Sequence, residues 1–329
     1  MGVSGAPHAP KEMDGSHEWG KLRTFAGKPA QMHKSGFVNI IGRPNVGKST
    51  LMNALLGERM SIITNKPQTT RHRIIGILSG EDYQIVFSDT PGIIKDPAYK
   101  MQEVMNRFVS TTFEDADIML FVTEAGERYS DGDPILERLR RTEAPLFLLL
   151  NKIDLATEVQ ILQLLQAWSE RLPFKELIPL SALHQKNTDK LLELILQYLP
   201  EGPEYYPKDQ LTDRPERFFV SEIIREKILE LYHQEIPYSC EVAVLEFKED
   251  QTSSGAPLVR ISAEIFVARS TQKSIIIGKG GTAIKQLGTA ARQSIEKFLE
   301  KKVFLELHVK VKDNWRDDER MLRHFGYNQ

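Results

Sequence analysis

The sequence predicts an α/β domain over residues 35–200, a mostly parallel sheet with helices on both faces, followed over 217–329 by a smaller α+β domain. Three observations predict this. From Phe37 to Leu199 short apolar runs alternate with amphipathic stretches, the order from which parallel sheets are built. Pro200 to Pro215 then carries four prolines and a glycine, which break helix and strand alike and mark a linker, 201–216. Beyond it the apolar pattern spells helix, strand, strand, helix, helix, strand.

In chain order the strands of the first domain are "FVNII", "YQIVFSD", "ADIMLFV", "APLFLLL" and "KELIPL", each a short apolar run bounded by polar or turn-forming residues. Between them "YKMQEVMNRFVSTTF", "DPILERLRR", "VQILQLLQAWSERL" and "TDKLLELILQYL" place apolar residues at helical spacing. In the second domain "ERFFVSEIIREKILELYHQ" is the opening helix. "SCEVAVLEF" and "LVRISAEIFVA" are strands joined by the turn-rich "EDQTSSGAP", and "VFLELHVKVK" is the last strand. A chain of 329 residues, 41% apolar and 27% charged, has room for two such cores.

The formal charge of −2 gives no global attraction to nucleic acid, but it is unevenly spread. Arg269 to Lys312 holds ten Lys and Arg against three acids, whereas Lys208 to Ala268 sums to −5, so one face of the second domain is expected to be basic. The single cysteine, Cys240, excludes an internal disulfide and reads as a buried strand residue. No His/Cys cluster has zinc-ligand spacing, which points to a reducing compartment. The longest apolar runs, such as "PLFLLL", fall far short of the roughly 20 residues of a membrane span. Residues 1–34 read as a disordered leader without a secretory apolar core. Glu12, Asp14 and Glu18 argue against an organelle transit peptide, and Met32 is an alternative natural start.

The chemistry is concentrated in the first domain. "GRPNVGKST", Gly42 to Thr50, is G-x-x-x-x-G-K-S behind a strand and ahead of a helix. Its backbone N–H groups, including those of Asn45, Val46, Gly47 and Thr50, suit phosphates, with Lys48 reaching the β and γ phosphates and Ser49 offering a hydroxyl to Mg²⁺. "SDTPG" supplies Asp89, placed to hold Mg²⁺ through water, then Thr90, Pro91 and Gly92, whose N–H can sense a γ-phosphate. "LLLNKID" brings Asn151, Lys152 and Asp154. The last can accept from the N1–H and 2-amino groups of guanine, and a buried acceptor pair of this kind rejects the wrong base by order 10⁴ or more. "PLSAL" adds Ser181, Ala182 and Leu183, with the Ala182 N–H expected at the guanine O6. Four such elements in this order make the ligand GTP or GDP. The region resembles the translation-factor-related branch of P-loop GTPases from Phe37 to Leu199.

"NKPQTTRHR", Asn65 to Arg73, lies where such GTPases keep a mobile segment. Thr70 is the expected Mg²⁺ ligand and Thr69 the near alternative. After Gly92 comes Ile93, where many relatives carry a glutamine. An aliphatic chain cannot orient water, so slow intrinsic turnover is expected, resting on Lys48, Mg²⁺, backbone groups or an outside stabiliser. The loop form with Asn45 is similar to that of the GTPase group containing Era and the tRNA-modification GTPases, which implies a potassium ion beside the phosphates.

In the second domain "SIIIGKGGTAIKQL" sets Gly278, Lys279, Gly280 and Gly281 between two helices. Glycines at both ends admit a nucleic-acid backbone, and Lys279 with the following helix N-terminus attracts phosphate. Together with the element order this resembles a type II KH domain, whose groove holds about four unpaired nucleotides. Lys273, Lys285 and Arg292 are candidate phosphate contacts. Ile277 and Ile284, with Ile275 and Ile276, are candidate groove residues that also serve the core.

The whole resembles the Era family of ribosome-assembly GTPases, over about Gly36 to Tyr327. The likeness is carried by "GRPNVGKSTL", "PQTTRHR", "DTPG", "NKID", "TDRPERFFVSEIIREKI", "IPYS", "IIGKGG" and "KVKDNWRDDERMLRHFGY". The resemblance implies a cytoplasmic, monomeric GTPase that binds the 3′ end of 16S ribosomal RNA and acts in 30S subunit maturation. It also implies peripheral association with the inner membrane. Two rivals stand beside it, a tRNA-modification-type GTPase, whose cysteine-bearing tail is not visible, and an RNA chaperone whose GTP site is structural. "WRDDERMLRHFGY" is expected to form a short helix packed on the KH sheet rather than an RNA contact, since its charges nearly cancel.

Overall fold

The first domain folds around the strand that leads into "GRPNVGKST". A computed structural model describes residues 33–252 and 254–327; the expected leader lies outside them except for its last two residues. Its six strands are β1 (Lys34–Ile41), β2 (Ile74–Ser79), β3 (Tyr83–Asp89), β4 (Ile118–Glu124), β5 (Leu146–Asn151) and β6 (Glu176–Pro179). They form one sheet in the order β2-β3-β1-β4-β5-β6, all parallel except β2. Because β1, β3, β5 and β6 run the same way, the loops that follow them open on one edge, beside the point where the order reverses around β1.

Helices α1 (Lys48–Leu56), α2 (Lys100–Thr111), α3 (Pro134–Arg140), α4 (Glu158–Ser169) and α5 (Thr188–Tyr198) cover the sheet. Strand alternation divides the interior in two: Ile118, Leu120 and Val122 of β4 face one core with Leu51 and Leu191, while Met119 and Phe121 face another with Leu136 and Trp168. The second domain has α6 (Glu216–Leu231), α7 (Ser270–Ile277) and α8 (Thr282–Leu299) on one face of a three-stranded sheet. Its strands are β7 (Cys240–Gln251), β8 (Pro257–Val267) and β9 (Lys302–Val311), ordered β7-β8-β9. Cys240 is fully buried, and burial pushes its thiol up to about 12.

Three features differ from expectation. β2 is an unforeseen strand, since Gly76 in its interior weakens the strand signal and it follows a polar loop. β1 starts at Lys34 rather than at the apolar run, its N–H donating to the Asp82 carbonyl at 2.9 Å. The expected linker is fastened along the first sheet: Ile77 N–H donates to the Leu211 carbonyl at 2.8 Å, and Gln84 Oε1 accepts from Tyr205 and Tyr206 N–H at 2.7 and 2.9 Å.

The C-terminal segment forms a 3₁₀ turn at Trp315–Asp317 and helix α9 (Glu319–His324), capped by the Asp318 carboxylate. It was expected to pack on the second sheet. Phe325 does meet Phe266 there, but Trp315, Leu322 and Tyr327 join Met101, Val104, Met105 and Phe108 of α2 in a shared apolar cluster. The segment therefore bridges the domains.

Candidate functional site

Each loop on the open sheet edge is positioned by a strand end. Gly47, the N-cap of α1, has φ 97°, and a Cβ there would lie 2.3 Å from Asn151 Nδ2, so both backbone and space require glycine. Asn151, 2% exposed, braces the loops: its Nδ2 donates to the Val46 carbonyl at 2.8 Å and its Oδ1 accepts the Ala182 N–H at 2.9 Å. Val46, Thr90 and Pro91 are buried in the frame, with Thr90 Oγ1 donating to the Ile40 carbonyl at 3.0 Å.

The loops enclose a cavity of about 520 Å³ lined by Asn45, Gly47, Lys48, Ser49, Thr50, Thr70, Gly92, Asn151, Lys152, Asp154, Ser181 and Leu183. The Ser49 and Thr70 hydroxyls on its wall meet the buried carboxylate of Asp89. Ser49 Oγ lies 2.9 Å from Thr70 Oγ1 and 2.6 Å from Asp89 Oδ2, and Thr70 Oγ1 lies 3.4 Å from the same carboxylate oxygen. Asp89 is fully buried. Its Oδ1 has no hydrogen-bond partner among the described residues, and burial raises its pKa against the pull of Lys48. A buried carboxylate oxygen with open valence beside two hydroxyls is the donor set of a hard divalent cation. Thr69 turns away, its hydroxyl donating to the Lys66 carbonyl at 2.6 Å.

Lys48 Nζ donates to the Gly42 and Arg43 carbonyls at 3.1 and 2.9 Å. Burial pulls this ammonium down to about 8, partly opposed by Asp89 and Glu127. At the far end, Ser181 Oγ donates to Asp154 Oδ1 at 2.5 Å and holds that carboxyl below its usual range. Lys152 pairs with Glu124, and Leu183 is exposed at the cavity mouth. The Ala182 N–H, expected at the guanine O6, donates here to Asn151 Oδ1.

In the second domain Gly278, Gly280 and Gly281 all have positive φ (72°, 62° and 79°) and present Lys279 to solvent. Lys285 is also exposed, Lys273 is half-buried, and Ile277 and Ile284 are half-buried against the core. Ile276 is fully buried, which leaves Ile275 as the exposed isoleucine of α7. Arg292 pairs with Glu296 at 3.1 Å, and its side chain stays partly exposed.

A family model described as 50S ribosome-binding GTPase matches residues 37–152, and a KH domain model matches 235–316. GTPase Era of Syntrophus aciditrophicus is 51% identical over 308 residues, 93% of this chain and 99% of that protein. The chain belongs to the Era family. GTPase Era of Clostridium perfringens is 46% identical over 91% of this chain and 99% of its own length. Two solved Era structures superpose with TM-score 0.84 at 38% identity, covering 90% of this chain and all of theirs. One is a variant of Aquifex aeolicus Era bound to GDP and AlF4−, the other is Era in complex with MgGDPNP and nucleotides 1506–1542 of 16S ribosomal RNA.

The P-loop GTPase and KH folds of Era are thus both present here, and sequence reasoning missed what joins them. Arg43 bonds Glu127 at 2.9 Å and Asp133 at 2.7 Å and lies over the Tyr129 ring, so it braces the phosphate loop. Arg71, 1% exposed, donates to the carbonyls of Cys240 and Pro237 and to Glu241, tying the segment after Thr70 to the second domain. Their partners lie 84 to 170 positions away, a separation that leaves no local signal.

Proposed function

We propose that this chain is a GTP-hydrolysing switch that binds the 3′ end of 16S ribosomal RNA through its KH domain and acts in 30S subunit maturation. The observation that carries it is the convergence of Ser49, Thr70 and Asp89 oxygens beside Lys48, in the same chain as an exposed glycine loop. The relative solved with MgGDPNP and 16S nucleotides supports both halves of this reading.

In this reading Ser49 and Thr70 would hold Mg²⁺ directly and Asp89 would hold it through water, and the ion would supply charge neutralisation for the phosphates. Lys48 contacts the β and γ phosphates, and the Gly92 N–H faces the γ-phosphate. Asp154, oriented by Ser181 at Oδ1 and with His184 Nε2 3.8 Å from Oδ2, accepts from the N1–H and 2-amino groups of guanine. Ile93 packs against the apolar core and has no group to orient water, so intrinsic hydrolysis is slow. As the family resemblance implies, Asn45, whose Nδ2 donates to the Asn65 carbonyl at 3.1 Å, would place its Oδ1 toward a potassium ion beside the phosphates; equal turnover in potassium and sodium buffers would remove that ion from the mechanism. Lys279, Lys285 and Lys273 meet the RNA backbone at the glycine loop.

We place the protein in the cytoplasm as a monomer, with peripheral contact to the inner membrane as its family implies. Among the described residues no helix is long and apolar enough to cross a membrane. The deciding experiment is affinity for an oligonucleotide matching the 3′ end of 16S RNA, at fixed salt, with a non-hydrolysable GTP analogue and with GDP. Tighter binding with the analogue is expected. Equal binding would leave an RNA chaperone with a structural nucleotide site.

A further inference from the structure

The backbone just before Thr70 is gripped by a residue of the other domain. Arg225, on α6, is fully buried. Its Nη2 donates to the Thr69 carbonyl and its Nη1 to the Gln68 carbonyl at 3.4 Å. Glu222 fixes the guanidinium through Nε at 2.8 Å and Nη2 at 2.5 Å, a planar two-point pairing that leaves no rotamer freedom. Gln68 itself has φ 57°, a left-handed backbone that a non-glycine residue keeps only where its surroundings impose it.

The same helix holds the rest of the segment. Lys66 Nζ donates to the Leu229 and Tyr232 carbonyls at the C-terminal end of α6, and the Ile63 N–H donates to Glu226, which also pairs with Arg59. Contacts thus run from Arg59 to Thr69, and Arg71 continues them on the other side of Thr70. Adjoining α6, Tyr232 Oη donates at 2.9 Å to the carbonyl of Ile276, two residues before Gly278 of the glycine loop.

We propose that Arg225 is a positioning residue for GTP hydrolysis: by gripping the carbonyls of Gln68 and Thr69 from the RNA-binding domain, it holds the Thr70 hydroxyl beside Ser49 and Asp89. The Mg²⁺–GTP site is complete only while α6 is docked. This rests on the reading of Thr70 as the Mg²⁺ ligand. GDP, which lacks the phosphate this segment closes upon, does not need the grip.

The test uses the full chain and measures affinity for Mg²⁺–GDPNP and for GDP, together with kcat and KM for GTP. Removing Arg225 alone would strand the buried Glu222 carboxylate, so the informative variant is Glu222→Gln with Arg225→Met, alongside Arg225→Lys. The double variant should keep GDP affinity, lose about tenfold in the GDPNP-to-GDP affinity ratio and lose kcat, with partial recovery in Arg225→Lys. Thr70→Ala should give the same loss, and adding it to the double variant should cost little more, because both act on one contact. If Thr70→Ala lowers the ratio while the double variant retains it, Arg225 does not position the site. If Thr70→Ala itself leaves the ratio unchanged, the reading of Thr70 fails, and the inference with it.

Discussion

Raising the pH should weaken nucleotide binding through Lys48 before any other group in the pocket responds. Burial lowers this ammonium from 10.5 to about 8 in the free protein, and phosphates placed beside it restore the charged form. Binding above pH 8 therefore takes up a proton. At pH 7 about nine tenths of Lys48 is charged and at pH 9 about one tenth, so GDP affinity should fall about tenfold, or ~1.4 kcal/mol. Calorimetry in two buffers of different ionisation enthalpy should register an uptake of about 0.9 proton per GDP at pH 9. Folding without nucleotide has the opposite sign: between 8 and 10.5 the unfolded chain binds the extra proton, so stability rises with pH there. Lys48→Met is the control, since it keeps whatever pH dependence the base and Asp154 contribute. A wild-type affinity that is flat from pH 7 to 9, or a slope that survives in Lys48→Met, would refute the argument.

Other outcomes follow from single residues. Asp154→Asn should lower guanine nucleotide affinity by up to order 10⁴ and favour xanthine nucleotides, because the new amide N–H meets a carbonyl where guanine presents a donor; competition binding with XDP and GDP checks it. His72, buried against the Tyr327 ring at 4.4 Å, is pulled down from 6.5 to about 4 by desolvation. Stability should hold above pH 6.5 and fall by ~3 kcal/mol as pH drops to 4, where the unfolded chain takes the proton first; His72→Phe should flatten that part of the melting profile. Trp315→Ala empties a fully buried site and orphans the Ser239 carbonyl, bonded at 3.0 Å. A loss of about 3–5 kcal/mol is expected in denaturant titration, and unchanged stability would show that the tail does not clamp α2.

The nucleotide pocket was legible because its residues sit in short runs at strand ends: Gly42 to Thr50, Asp89 to Gly92 and Asn151 to Asp154 each carry their own backbone geometry and chemistry. Thr70 could be preferred over Thr69 from position alone, and the Ser49 and Asp89 contacts agree with it. Side-chain direction was less accessible. The partners that Ala182 and Arg292 meet, Asn151 and Glu296, are not revealed by spacing.

What the sequence by itself determined is the pair of folds and the chemistry of each loop, because apolar periodicity and local motifs act within a few residues. Only the tertiary structure decided how the two are joined. Gly76 hid an edge strand, the proline-rich stretch became a strap along the first sheet, and the C-terminal residues settled on α2. Arg71 buries its charge against carbonyls and a carboxylate, and Arg225 against carbonyls, more than 150 positions away. Such burial is tolerable only when both domains bring their partners to the same place, and that condition has no signature in either segment read alone.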